Sequence, residues 1–452
     1  MQTWHSNSGI VRYWAKRLSV ASLGLSTVVA NAQQLQRVAV FTLDRGGAAE
    51  ARAWSIVPAP TTAGEVAVGG EIFSGGVWNP VYWTGLGAPP LPVVTLGLGG
   101  RIETVIVNGP FSDLRGAGYV VNAAGDDVPA FWFTPANLTL LPTLAGGGRV
   151  HDLSFDANTG DFVMCGYTIN GAGVQFGAYW QGNPAAGFVM VPMIPLAAGQ
   201  NSDGNALTRA PGGALRIVGS AVDGAGNTRA VHWGVPAAWG APIVLANAGG
   251  GVGGAAEASL IPLTVIAGSA PDAGGLEQPV TWNPATGVST GLPLSAGFTE
   301  GRVDTVIELN GIVYLLGTAT DAALPDYVFG WRVAGGAPQG IGDLNLRKTD
   351  ATDPRLARVY DATANVFSNV NHIYLCGTAF DGTTNVISYV ARDVTPGDLD
   401  ADGKVDSSDL GALLSGFGLA AGATYAQGDI DGDGDVDSGD LGILLANWGI
   451  GT

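Results

Sequence analysis

Ile217-Val218-Gly219-Ser220-Ala221-Val222-Asp223-Gly224, followed by Ala230-Val231-His232-Trp233, is the stretch on which the fold of this chain turns. An apolar run reaches Gly219, an Asp-Gly pair supplies a tight turn, and a second apolar run closes on Trp233. This is the chemistry of a β-hairpin.

The pattern recurs. An aromatic residue ends a β-like run at Trp83, Trp132, Trp180, Trp233, Trp282, Trp331 and, in a degenerate copy, Tyr389, at spacings of 49, 48, 53, 49, 49 and 58 residues. A glycine stands fourteen residues ahead of most of these tryptophans, at Gly69, Gly166, Gly219, Gly268 and Gly317, whereas Gly377 lies twelve before Tyr389 and the second copy is blurred. Each unit reads as four short strands, which the third copy illustrates with Val150 to Phe155, Asp161 to Tyr167, Phe176 to Trp180 and Phe188 to Ile194. Four strands in every 40 to 50 residues mark a propeller blade, so seven copies predict a mainly β, seven-bladed β-propeller-like array. An open β-solenoid or a pair of β-sandwiches is the competing arrangement. The last copy lacks a fourth strand, and Arg37 to Leu43 is an orphan strand at the other end of the array. The two are expected to join and close the ring. The units resemble the short repeats with a Val-Gly, Asp-Gly and Trp pattern found in secreted bacterial propeller-like proteins, a resemblance that implies the fold and leaves the ligand open.

Composition agrees with a large β body: 452 residues, 71 glycines, 25 prolines, 13% charged residues and a mean hydropathy of +0.26. Residues 1–32 read as a signal peptide, because Arg12, Lys16 and Arg17 precede the apolar run Leu18 to Ala30, which ends in Ala30-Asn31-Ala32. That run is too short to span a bilayer. The expected location is secreted or cell-surface, with the periplasm as a further compartment, and with no transmembrane segment in the mature chain. Loss of three basic residues takes the net charge from −18 to about −21, which disfavours nucleic acid and anionic membranes as partners. The two cysteines, Cys165 and Cys376, fall at equivalent positions in the third and seventh copies, on opposite sides of a ring, and are expected to be buried, unbonded thiols.

Residues 395–452 are a different unit, leaving 33–394 for the propeller. Asp398, Asp400, Asp402, Gly403, Lys404, Asp406 and Asp409 occupy positions 1, 3, 5, 6, 7, 9 and 12 of a twelve-residue calcium loop. Asp429, Asp431, Asp433, Gly434, Asp435, Asp437 and Asp440 repeat it 31 residues later. Calcium takes six to eight oxygens, so carboxylates alternate inward, a glycine makes the sharp turn, and position 7 offers its carbonyl. Two calcium ions are expected. Leu410, Leu413, Leu414 and Phe417 follow the first loop and Leu441, Leu444, Leu445 and Trp448 the second, each an i, i+3, i+4, i+7 stripe predicting one apolar helix face. Eleven aspartates in this segment would repel one another without metal, so its folding is expected to need calcium.

This duplicated loop and helix resembles type I dockerin domains. The resemblance implies contact with a cohesin-like protein or cell-surface scaffold through loop positions 10 and 11, here Ser407 and Ser408, and Ser438 and Gly439. Gly439 departs from the usual hydroxyl or bulkier residue.

No His-Glu-x-x-His, Gly-x-Ser-x-Gly or phosphate-loop motif is present. His151, His232 and His372 are scattered over separate repeats. Glu103, Asp152, Glu257 and Asp304 are the body carboxylates that a channel would use, and Arg347, Lys348, Arg355 and Arg358 form a basic insertion that an anionic sugar would use, although turn and surface roles account for all of them. The expected function is a secreted, non-catalytic binding or display protein with a calcium-binding attachment module. The alternative is a carbohydrate-active enzyme, a glycoside hydrolase or polysaccharide lyase, acting on polysaccharide.

Overall fold

In a computed structural model of the chain, the repeat unit becomes a four-stranded antiparallel sheet, and seven such sheets are present. The structure describes residues 38–451, except 60–65, 108–113, 157–158, 210–213, 235–240, 248–250, 261–263, 322–326, 334–337, 344–356, 368–369, 381–385, 421–422, 424 and 432–433. The signal segment and Arg347, Lys348, Arg355 and Asp433 therefore lie outside the described residues.

The inner strands of blades one to seven are Glu50–Pro58, Gly100–Val107, Gly148–Asp156, Ser202–Arg209, Ala255–Ser259, Phe298–Leu309 and Ala357–Phe367. Each packs on the inner strand of the next blade, and the seventh packs on the first, so the array is a closed seven-bladed propeller. Closure uses the orphan strand: Val38–Thr42 pairs antiparallel with Val386–Asp393 and supplies the outer strand of blade seven.

Among the described residues, seven hydrophobic clusters fill the seven interfaces between consecutive blades, as where Tyr82 and Val93 of blade one meet Ile102 and Trp132 of blade two. The marker tryptophans are the pegs of these interfaces. Each indole is buried, and its N–H donates to a carbonyl just past the outer strand of the preceding blade: Trp83 to Asp44, Trp132 to Val94, Trp180 to Pro142, Trp233 to Ile194, Trp282 to Ala246 and Trp331 to Pro293, at 2.7–2.9 Å. Tyr389 does not take the place of a seventh tryptophan. It lies opposite Gly377, where a tryptophan would lie opposite Leu375, and its hydroxyl donates to Arg358 O within its own blade.

The marker glycines have a steric cause. On the second strand of each blade a Cβ at Gly70, Gly118, Gly166, Gly219, Gly268, Gly317 or Gly377 would collide with a carbonyl oxygen of the inner strand, that of Arg52, Arg101, Arg149, Asp203, Ala255, Arg302 or Arg358 respectively. The equivalent position in blade one is Gly70, one residue past Gly69, and in blade two it is Gly118. Opposite this glycine every inner strand carries a β-bulge. A bulge inserts one residue and re-aims its side chain.

Cys165 and Cys376 are free and fully buried, in blades three and seven. After the last blade the chain enters a small helical module, with α1 at Ser407–Gly416 and α2 at Ser438–Ala446. The buried side chain of Arg392 donates to Ala401 O at 2.6 Å and so ties the first loop of the module to blade seven.

Candidate functional sites: the channel and the paired acidic loops

The bulged residues, in blade order, are Trp54, Glu103, His151, Asn205, Glu257, Asp304 and Tyr360. All are half-buried on the inner strands that ring the axis. Trp54 stacks on Tyr360 with ring centroids 4.1 Å apart, His151 Nε2 lies 3.3 Å from Asp203 Oδ1, and Asn205 donates to Glu257 at 2.8 Å. They form one tier of the central channel.

Two residues earlier in each inner strand stand Arg52, Arg101, Arg149, Asp203, Ala255, Arg302 and Arg358, a second tier nearer the strand starts. Gly100 and Gly148, with φ of 152° and 156°, allow two of these strands to begin hard against their neighbours. The arginines are held in place. Arg52 and Arg101 both pair with the fully buried Glu71, at 3.4 and 3.1 Å, while Arg52 lies over Trp78 and Arg101 over Trp54. Arg149 pairs with Asp127 and lies over Tyr119, and Arg302 pairs with Asp304 at 2.8 Å.

Crowding in the channel shifts protonation. Burial, and then the charge of Asp304, push the Glu257 carboxyl up to about 7. Burial pushes Asp304 up to about 6 against the pull of Arg302. Burial opposes the imidazolium of His151, but the charge and hydrogen bond of Asp203 override it and carry His151 to about 9. Three of the four body carboxylates named from sequence, Glu103, Glu257 and Asp304, thus line the channel, and Arg358 joins the arginine tier.

Asp152 does not line it. Sitting one residue past the bulge, it turns into the interface between blades, where its carboxylate accepts from Leu207 N of blade four at 2.7 Å. Asp361 does the same toward Ile56 N of blade one at 3.0 Å, and the Ser55 hydroxyl accepts from Val105 N of blade two at 3.2 Å. His151 is a channel residue that sequence reading set aside. Its only signal was its place two residues after an arginine shared with other repeats.

In the C-terminal module, carboxylate oxygens of Asp398, Asp400 and Asp409 converge within 4.8 Å of one another, as do those of Asp429, Asp431 and Asp440, while Asp435, Asp437 and Asp440 form a third grouping. The two loops are built alike. Asp409 is fully buried and accepts from Leu399 N at 2.6 Å and Asp406 N at 2.8 Å, and Asp440 repeats this with Ile430 N at 2.6 Å and Asp437 N at 2.8 Å. Asp406 and Asp437 cap α1 and α2. Gly403 and Gly434 hold φ of 87° and 94°, the left-handed turn required at position 6. Asp402 is exposed, outside the converging group, and accepts from Lys404 N. Ser407, Ser408, Ser438 and Gly439 are all exposed, and the Ser408 hydroxyl donates to Asp400 and Asp406.

The predicted apolar stripes divide in two. Leu413 and Leu444 are buried with Val405 and Val436, but Leu414, Phe417, Leu445 and Trp448 face outward at 56, 48, 54 and 46% exposure. The module is small and the two helices share only a narrow core, so one ridge of each helix suffices to fill it.

No family model matches the sequence, and no curated protein matches it. Solved structures that are similar include a puromycin hydrolase, at 14% identity over 74% of this chain and 51% of that one, with a TM-score of 0.45. YCF48 bound to a D1 peptide matches at 13% identity over 79% of this chain and 95% of that one, with a TM-score of 0.42. An α-L-arabinanase from Penicillium chrysogenum matches at 9% identity over 79% and 97%, with a TM-score of 0.43. The chain spans about half the length of the puromycin hydrolase. The seven-bladed β-propeller is read from the strand topology and ring closure of this chain itself. Among the described residues no helix is long and apolar enough to cross a membrane.

Proposed function

We propose that this chain is a secreted or cell-surface protein in which the propeller is a binding platform and the C-terminal module, similar to type I dockerin domains, binds two calcium ions and attaches the platform to a cohesin-like partner or a surface. The observation that carries this reading is Asp398 Oδ1. It is buried, has no hydrogen-bond partner, and belongs to a carboxylate that converges with those of Asp400 and Asp409. A buried carboxylate oxygen without a partner is costly unless a cation completes it. The all-oxygen donor set suits a hard cation such as calcium. Asp398, Asp400 and Asp409 would hold one ion and Asp429, Asp431 and Asp440 the other, each joined by the position-7 carbonyl of Lys404 or Asp435, while exposed Ser407, Ser408, Ser438 and Gly439 remain available to a partner. Calorimetric titration of the chelator-treated chain with calcium is expected to give two sites, and absence of binding at millimolar calcium sinks the proposal.

One observation favours a second reading, a carbohydrate-active enzyme. Glu257 and Asp304 occupy equivalent positions on adjacent blades, and burial raises both, Glu257 to about 7 and Asp304, which keeps its ion pair with Arg302, to about 6. Paired carboxylates in different protonation states are what glycoside hydrolysis uses. Release of reducing ends from a polysaccharide panel, lost in Glu257→Gln, would establish it.

A further inference from the structure

Five of the seven positions in the channel tier nearest the strand starts are arginine, in a chain with only 20 basic residues and a net charge of −18. Hydrophobic packing does not require this. The second strand of each blade, the tryptophan pegs and the hydrophobic clusters account for blade stacking without these side chains.

We propose that this mouth of the channel binds an acidic saccharide, with the carboxylates of a uronate-containing chain seated on Arg52, Arg101, Arg149, Arg302 and Arg358 and the sugar hydroxyls on the polar tier beneath. The guanidinium groups of Arg52, Arg101, Arg149 and Arg302 are oriented before any ligand arrives, by Glu71, Asp127 and Asp304 and by the rings of Trp78, Trp54 and Tyr119. Fixed arginines lose little rotamer freedom on binding and match a carboxylate with two parallel donors. They also keep access to the channel: the side chains of Arg52, Arg149 and Arg302 are 30, 31 and 39% exposed.

The tier beneath offers Glu103, His151, Asn205, Glu257, Asp304 and Tyr360, donors and acceptors mixed and no aliphatic side chain. That lining fits a ligand rich in hydroxyl groups. Asp203 and Ala255 complete the tier, and Ala255, the smallest side chain of the seven, stands two residues before Glu257 on the same inner strand. The acidic surface of the rest of the chain selects against densely charged polyanions, which favours one carboxylate per sugar over nucleic acid or a sulfated polymer.

The proposal rests on the platform half of the functional reading and is independent of calcium, so the test is run in chelator, where the module's failure and the channel's failure separate. Calorimetry of the full chain at low salt would use three probes: a short galacturonate oligosaccharide, its methyl ester, and a sulfated oligosaccharide of equal length. The expected result is binding of the galacturonate alone, weakened at least tenfold by Arg302→Gln with Arg358→Gln at unchanged melting temperature. Should that double variant fail to fold, Ala255→Leu tests the same mouth by adding bulk to the tier and is expected to give a similar loss. Equal binding of the methyl ester, preference for the sulfated probe, galacturonate affinity unmoved by the variants, or no galacturonate binding at all would each overturn the assignment.

Discussion

The indole N–H of Trp83 donates to the carbonyl of Asp44 at 2.7 Å and thereby locks the first blade onto the strand that completes the seventh. The same peg joins five other pairs of blades, but here it spans the point where the ring closes. Trp83→Phe keeps most of the buried surface and removes the donor, leaving the Asp44 carbonyl unmatched. The expected loss is about 1–3 kcal/mol of stability, read from the midpoint of chemical denaturation.

The glycine behind each bulge should tolerate no side chain. Gly317→Ala would drive a methyl group into the Arg302 carbonyl, and a loss of about 1–3 kcal/mol is expected. Gly224→Ala, in an open turn with nothing within 4 Å of a new methyl, is expected to be close to neutral. Equal effects of the two in thermal melts would contradict the steric account of the repeat.

Two interface carboxylates make stability depend on pH in an unusual direction. Burial, opposed by backbone N–H donors, raises Asp152 to about 7 and Asp361 to about 6, above their unfolded value of 3.8. The folded state therefore takes up these protons before the unfolded state does. Their contribution becomes more favourable as pH falls from about 7 toward 4, by up to about 1.4 kcal/mol per unit for each group, and changes no further below 4. His151, raised to about 9, stabilises the fold fully below about 6.5, and that contribution is lost as pH rises through 9. Stability measured by denaturation should thus decline from pH 4 to pH 9, and Asp152→Asn should flatten the acid part of the profile.

In the module, burial and exposure separate side chains that the helical stripe groups together. Leu413→Ala and Leu444→Ala are each expected to cost about 2–5 kcal/mol of module stability. Leu414→Ser and Leu445→Ser should stay within about 0.5 kcal/mol of the parent. Circular dichroism of the calcium-loaded chain during heating would resolve the pairs.

Cys165 and Cys376, fully buried with thiols whose ionisation burial disfavours, should resist a thiol reagent at neutral pH until the propeller unfolds. Labelling of either in native buffer within minutes would place it differently from the structure.

Much of this was legible in the chain because the repeat signal is local. Trp180, Gly166 and the strand before it belong to one hairpin, and their spacing is fixed by strand length, so the blade and its number could be read without knowing any contact between blades. The loops of the module were legible for the same reason, since twelve consecutive residues contain their own geometry. The channel was not. His151 and Glu257 looked like scattered polar residues because the bulge that re-aims them depends on pairing opposite a glycine of the neighbouring strand, and no single strand records it. Asp152 and Glu257 were equivalent in sequence, yet one residue of offset from the bulge sends the first into an interface between blades and the second to the axis.

The sequence by itself determined seven blades, the closing role of Arg37 to Leu43 and the pattern of acidic residues in the loops, because each follows from a repeat of about 50 residues, from the strand left over at its end, or from twelve consecutive loop positions along a continuous chain. Only the tertiary structure decided which side chains meet around the axis, that five arginines lie on one tier of it, and that Leu414 and Trp448 face outward, because those relations are set by ring closure and the packing of one unit on another, which pair residues far apart in sequence.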